Sequence, residues 1–140
     1  MLNPMGAVGP QAAVLVVDDE AALRGLLTRV LGEAGFFVVQ AEHGEDALQQ
    51  LRRVGGVLNL VVTDINMPVM DGLELVRRLR PLYPNLPVLF ITGRGNENPQ
   101  TATCVESWGD LLRKPFSPDL LLERVAQLLA RTADVGRTTA

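Results

Sequence analysis

Four short hydrophobic runs in this chain each stop at a residue with a charge or a hydroxyl, and few folds accommodate that repetition. Val14-Leu15-Val16-Val17 meets Asp18-Asp19, Leu60-Val61-Val62-Thr63 meets Asp64, Val88-Leu89-Phe90-Ile91 meets Thr92-Gly93, and Leu111-Leu112-Arg113 meets Lys114-Pro115-Phe116. Such runs have the length of buried strands, and most are rich in β-branched residues. Helix-like patterns alternate with them. The sequence therefore predicts βαβ units with right-handed crossovers: an α/β fold with a doubly wound, five-stranded parallel sheet and helices on both faces. In a parallel sheet the carboxyl ends of the strands share one edge, where open α/β folds bind their ligands. Asp18, Asp19, Asp64, Thr92 and Lys114 are thus expected around one pocket.

The helices are read from apolar spacing. In the first, Leu23, Leu26, Leu27, Val30, Leu31 and Ala34 recur at helical intervals, and Gly35 stands where a C′ glycine stops a helix. Phe36-Phe37-Val38-Val39 follows as a second strand. Ala47, Leu48, Leu51 and Val54 outline a second helix closed by Gly55-Gly56, and Leu75, Val76 and Leu79 a third, ended by Pro81 and Pro84. Ser117-Pro118 supplies an N-cap and an N1 proline for the last helix, with Leu121, Val125, Leu128 and Leu129 on its buried face. Residues 99–108 are the weak stretch: Thr101, Thr103 and Val105 are β-branched and the apolar stripe is thin, so a helix there is marginal. Residues 1–12 are read as a flexible leader, 13–131 as one folded domain and 132–140 as a flexible tail.

Composition narrows the function classes. A length of 140 residues suits one domain, and 47% hydrophobic with 21% charged residues is ordinary for a soluble globular protein. A net charge of −3, with no basic cluster beyond Arg52-Arg53 and Arg77-Arg78, argues against direct nucleic-acid binding. No apolar stretch approaches the roughly 20 residues of a membrane span, and no signal peptide opens the chain. A single cysteine, Cys104, precludes an internal disulfide and fits a reducing, cytoplasmic setting.

The predicted pocket poses an electrostatic problem. Asp18, Asp19 and Asp64 together cannot all stay ionised without compensation: either one takes up a proton, or a divalent cation enters. Oxygen ligands with open positions favour Mg²⁺, which takes one or two carboxylates and keeps water and a phosphate oxygen. The basic residues point the same way, because Lys114 is the one lysine against twelve arginines. A compact ammonium contacts phosphate as a point charge, which a guanidinium does not reproduce. Asp64, ending the expected central strand, is the natural nucleophile for an acyl phosphate. Lys114 and Thr92 would neutralise charge on the transferred oxygens.

Val-Leu-Val-Val-Asp-Asp-Glu, Asp-Ile-Asn-Met-Pro-Val-Met-Asp-Gly, Thr-Gly and Lys-Pro-Phe, in this order and spacing, resemble the motifs of the response-regulator receiver domain of two-component signalling, over residues 13–131. The resemblance implies that Asp64 receives phosphate from a phosphohistidine on a histidine kinase or histidine phosphotransfer protein. It further implies that Asp19, Asp64 and the main-chain carbonyl of Asn66 bind Mg²⁺, with Asp18 assisting through water. Thr92 and Lys114 would hold the phosphoryl oxygens, Lys114–Pro115 would be a cis peptide, and Asn66 and Arg94 would tune dephosphorylation. A downstream protein target on a partner-binding face, and a phosphorylation-dependent homodimer, belong to the same expectation. One position departs: receivers commonly carry Tyr or Phe three residues before the lysine as a rotameric switch, and this chain has Leu111 there. Trp108 is the nearest aromatic substitute.

Two other functions are weighed. An aspartyl-phosphate hydrolase similar to haloacid dehalogenase-like phosphatases needs a second aspartate two residues past the nucleophile, and that position is Asn66. A phosphorylation-independent pseudo-receiver would not need all five site residues. P-loop and dinucleotide-binding modules fail for want of their glycine-rich turns. His43 is read as an exposed turn residue and Cys104 as an apolar filler. The chain is expected to be either a free-standing regulator or the receiver of a hybrid kinase or larger regulator.

Overall fold

The computed structural model describes residues 12–55, 57–67, 69–93 and 109–138. The marginal helix at 99–108, with Cys104 and Trp108, lies outside the described residues, as do Arg94 and nearly all of the expected leader. Five strands form one parallel sheet: β1 (Ala13–Val17), β2 (Phe37–Ala41), β3 (Leu60–Asp64), β4 (Val88–Thr92) and β5 (Gly109–Arg113). Four helices are described: α1 (Ala21–Glu33), α2 (Gly44–Val54), α3 (Gly72–Leu79) and α4 (Pro118–Thr138). The strand order is β2-β1-β3-β4-β5, the doubly wound, flavodoxin-like arrangement. From β1 the chain steps to one side for β2 and to the other for β3, so the sheet's switch point lies between β1 and β3.

Strand alternation divides the apolar residues between two layers. Leu15, Val17, Val61 and Phe90 point to the face covered by α2 and α3, where they meet Ala47, Leu51, Leu75, Val76 and Leu79. Val14, Val16, Val62, Leu89 and Ile91 point to the other face, against Leu27 and Leu31 of α1 and Leu121, Val125 and Leu128 of α4. The central strands are buried along their whole length, as a sheet covered on both faces requires.

Local signals act largely as the sequence reading expected. Gly35 and Gly55 take φ of 104° and 86°, left-handed values that end α1 and α2 at low cost. The Ser117 hydroxyl accepts from the Leu120 amide at 3.1 Å, capping α4. Past α3 the chain turns back under Arg80, whose guanidinium donates to the carbonyls of Leu86 and Tyr83 at 2.7 and 3.3 Å. Three details differ. Leu26, counted in the apolar stripe of α1, is 37% exposed. His43 is the N-cap of α2, half-buried, its Nδ1 accepting from the Asp46 amide at 3.2 Å, where an exposed turn residue was expected. Helix α4 continues to Thr138, past the boundary at 131, because no proline interrupts it and Gly136 alone costs only about 1 kcal/mol.

Candidate phosphoacceptor and metal site

The switch point carries the acidic residues. Asp18 follows β1 directly and Asp64 ends β3, and these two strands are neighbours. One carboxylate oxygen from each of Asp18, Asp19 and Asp64 lies within 4.8 Å of the others, a cluster that could hold a metal ion. Asp18 is fully buried, Asp64 is 6% exposed, and Asp19 is open to solvent.

Lys114 enters from the end of β5. Its ammonium donates to Asp64 Oδ2 at 3.5 Å while its own amide donates to the Thr92 carbonyl at 2.9 Å, which ties the β5 terminus to β4. The peptide between Lys114 and Pro115 is cis. Thr92 is completely buried at the end of β4, its hydroxyl donating to the Gly93 carbonyl at 3.0 Å. Asn66 is exposed beside Asp64, and its amide donates to Asp64 Oδ1 at 3.2 Å. The five side chains named from the strand ends therefore gather at one edge, with the Asn66 backbone next to them.

Electrostatics explain what such a site asks for. Burial pushes the Asp18 carboxyl up from its ordinary 3.8 to about 6, Asp64 and Asp19 add repulsion, and the Glu20 amide and Lys114 oppose the rise. Asp64 is also raised, chiefly by burial, despite Lys114 and the Asn66 amide. Asp18 Oδ1 accepts from the Glu20 amide at 2.8 Å, but its buried Oδ2 has no hydrogen-bond partner among the described residues. A buried carboxylate oxygen without a donor is costly unless something positive meets it. The all-oxygen donor set fits a hard divalent cation.

The loop after Asp64 is seated by residues to which the sequence reading gave no role of their own. The Gly72 amide donates to the Ile65 carbonyl at 2.8 Å, and a Cβ at Gly72 would collide with the Asp64 carbonyl oxygen. Asp71 caps α3, accepting from the Glu74 amide at 2.8 Å. Asp-Gly ahead of an apolar run was the available signal for both. Val69, 83% exposed, holds φ of 70°, a strained value for a β-branched residue. Arg24 donates to the Asp18 carbonyl at 2.8 Å. Leu111 packs, partly buried, against the α2–α3 layer.

The family model for the response regulator receiver domain matches residues 14–126. The chain belongs to the response-regulator receiver family. As a receiver it is 35% identical over 131 residues to the transcriptional regulatory protein TrcR of Mycobacterium tuberculosis, covering 94% of this chain and 50% of that protein. It is 38% identical over 119 residues to the response regulator MprA of Mycobacterium leprae, covering 85% of this chain and 51% of MprA. The receiver thus spans about half the length of these curated relatives. Among solved structures, a response regulator receiver protein from Sinorhizobium medicae superposes with a TM-score of 0.77 at 32% identity, covering 87% of this chain and 97% of that one. The chemotaxis protein CheY4 of Vibrio cholerae gives 0.76 at 30% identity, with 86% and 100% covered. Among the described residues no helix is long and apolar enough to cross a membrane.

Proposed function

We propose that this receiver is a phosphoacceptor of a two-component phosphorelay, in which Asp64 takes a phosphoryl group from a phosphohistidine. The observation that carries the proposal is the convergence at Asp64, with the Lys114 ammonium at 3.5 Å and oxygens of the Asp18 and Asp19 carboxylates within 4.8 Å. An Asp64 oxygen attacks phosphorus, the P–N bond to the donor imidazole breaks, and its electron pair leaves with the imidazole, which takes up a proton. Lys114 stabilises the charge on the transferred oxygens, and Thr92 does so once its hydroxyl turns from Gly93. Asp18, Asp19, Asp64 and the Asn66 carbonyl would hold Mg²⁺. When bound, that ion supplies positive charge for the phosphoryl oxygens and relieves the carboxylate repulsion. Catalysis of this kind needs positioning and electrostatics rather than a general base, because the carboxylate is already the nucleophile.

The donor is a histidine kinase or a histidine phosphotransfer protein, and the output is a protein target recognised through a phosphorylation-sensitive face, in the cytoplasm. The folded unit is assigned to residues 13–138, because α4 continues to Thr138. Incubation with acetyl phosphate and Mg²⁺ is expected to add the mass of one phosphoryl group, and Asp64→Asn to abolish the addition. Unchanged labelling of Asp64→Asn in an intact-mass measurement would remove Asp64 as acceptor. Failure of the wild-type chain to label from either acetyl phosphate or a phosphohistidine donor would favour the pseudo-receiver reading.

A further inference from the structure

Arg24 lies in the first turn of α1, just past the aspartate pair, with its side chain only 17% exposed. One guanidinium nitrogen donates to the main-chain carbonyl of Asp18 at 2.8 Å, and another faces the Glu42 carboxylate at 4.0 Å. The two contacts are unequal. Glu42 is 68% exposed and its pair with Arg24 is long, so that pair contributes little. The bond to the carbonyl is charge-assisted, short and part-buried.

Asp18 is otherwise fixed by its own polar atoms. Its amide donates to the Ala41 carbonyl at 3.2 Å, and its Oδ1 accepts from the Glu20 amide at 2.8 Å. The first bond restrains φ, the second restrains the side-chain torsions, and the Arg24 bond restrains ψ. Of the two carboxylate oxygens Oδ2 is the one left over, buried and unpartnered among the described residues.

The geometry points to Arg24 as a positioning residue that, by clamping the Asp18 carbonyl, presets the Asp18 carboxylate as a donor to the divalent cation. This rests on the metal site proposed above. Nothing in the reaction requires Arg24 to touch phosphate; it acts through Asp18, as an outer-shell partner acts on a ligand.

Mg²⁺ affinity of the intact chain, measured by calorimetric titration beside urea unfolding of each variant without metal, tests the inference. Arg24→Met keeps the aliphatic stem and removes every donor, and Arg24→Ala removes both. Each is expected to weaken Mg²⁺ binding about ten-fold, the lower end of the range for outer-shell partners. In an Asp18→Ala background, where no carboxylate remains to be aimed, Arg24→Met is expected to cause no further loss. Glu42→Gln is expected to bind Mg²⁺ as the wild type does. Unchanged affinity in Arg24→Met, an additive loss in the double variant, or an equal loss in Glu42→Gln would each overturn the positioning role while leaving the metal site standing. Absence of Mg²⁺ binding by the wild-type chain would overturn both.

Discussion

Asp18 carries a fully buried carboxylate beside two other aspartates. Its folded pKa of about 6 stands above the ordinary 3.8, so folding disfavours the ionised form. Below about pH 3.8 both folded and unfolded chains hold the proton and no penalty exists; as pH rises through 6 the penalty reaches its full size. Without Mg²⁺, Asp18→Asn should therefore have a higher urea midpoint than wild type at pH 7.5, with the gap closing as the solution is acidified toward pH 4. A gap independent of pH would contradict burial as its cause. Val69 is strained in its backbone instead. Its exposed side chain packs on little, so Val69→Asn, which tolerates φ of 70°, should stabilise the fold by about 1 kcal/mol in urea unfolding. Residue positions were legible in the sequence where a strand end fixes a location, as for Asp64 and Lys114. They were not legible where a side chain meets a backbone atom: the reach of Arg24 to the Asp18 carbonyl depends on the path of the β1–α1 loop, which spacing does not encode.

At the scale of elements, the strands could be read because buried parallel strands are continuous runs of Val, Leu and Ile. Strand β2 shows the limit. It was expected at Phe36–Val39 but runs from Phe37 to Ala41, since Gln40 and Ala41 pair with Val16 and Val17 whatever their own propensities. The extent of α1's buried stripe was overstated by Leu26 because spacing gives a face, not its width. Glycines separate the helices by seating. Gly25 lies inside α1 with nothing within 4 Å of an added Cβ, so Gly25→Ala should gain about 1 kcal/mol of stability. Gly72 begins α3, and there the collision with the Asp64 carbonyl outweighs propensity, so Gly72→Ala should cost about 1–3 kcal/mol. Opposite shifts of the urea midpoint are the expected result, and a gain at Gly72 would mean that α3 is not seated on β3.

For the whole molecule, the proposed cation site predicts that stability depends on the concentration of Mg²⁺. A ligand that binds only the folded chain stabilises it by mass action, about 1.4 kcal/mol at ten times its dissociation constant, which is several degrees in thermal midpoint. Adding Mg²⁺ should raise the midpoint of the wild type accordingly and leave an Asp18→Asn, Asp64→Asn double variant unmoved; a midpoint insensitive to Mg²⁺ would count against the metal site. The seating of α3 also has a mechanical corollary. Between the peptide of Asp64 and the start of that helix, backbone meets backbone, with no pliable side chain to absorb a displacement. Toward α2 one connection is the Arg78–Glu45 pair, 3.7 Å apart between half-exposed side chains. The first residue of α3 thus abuts the Asp64 peptide directly, whereas that tie to α2 runs between the tips of two long side chains.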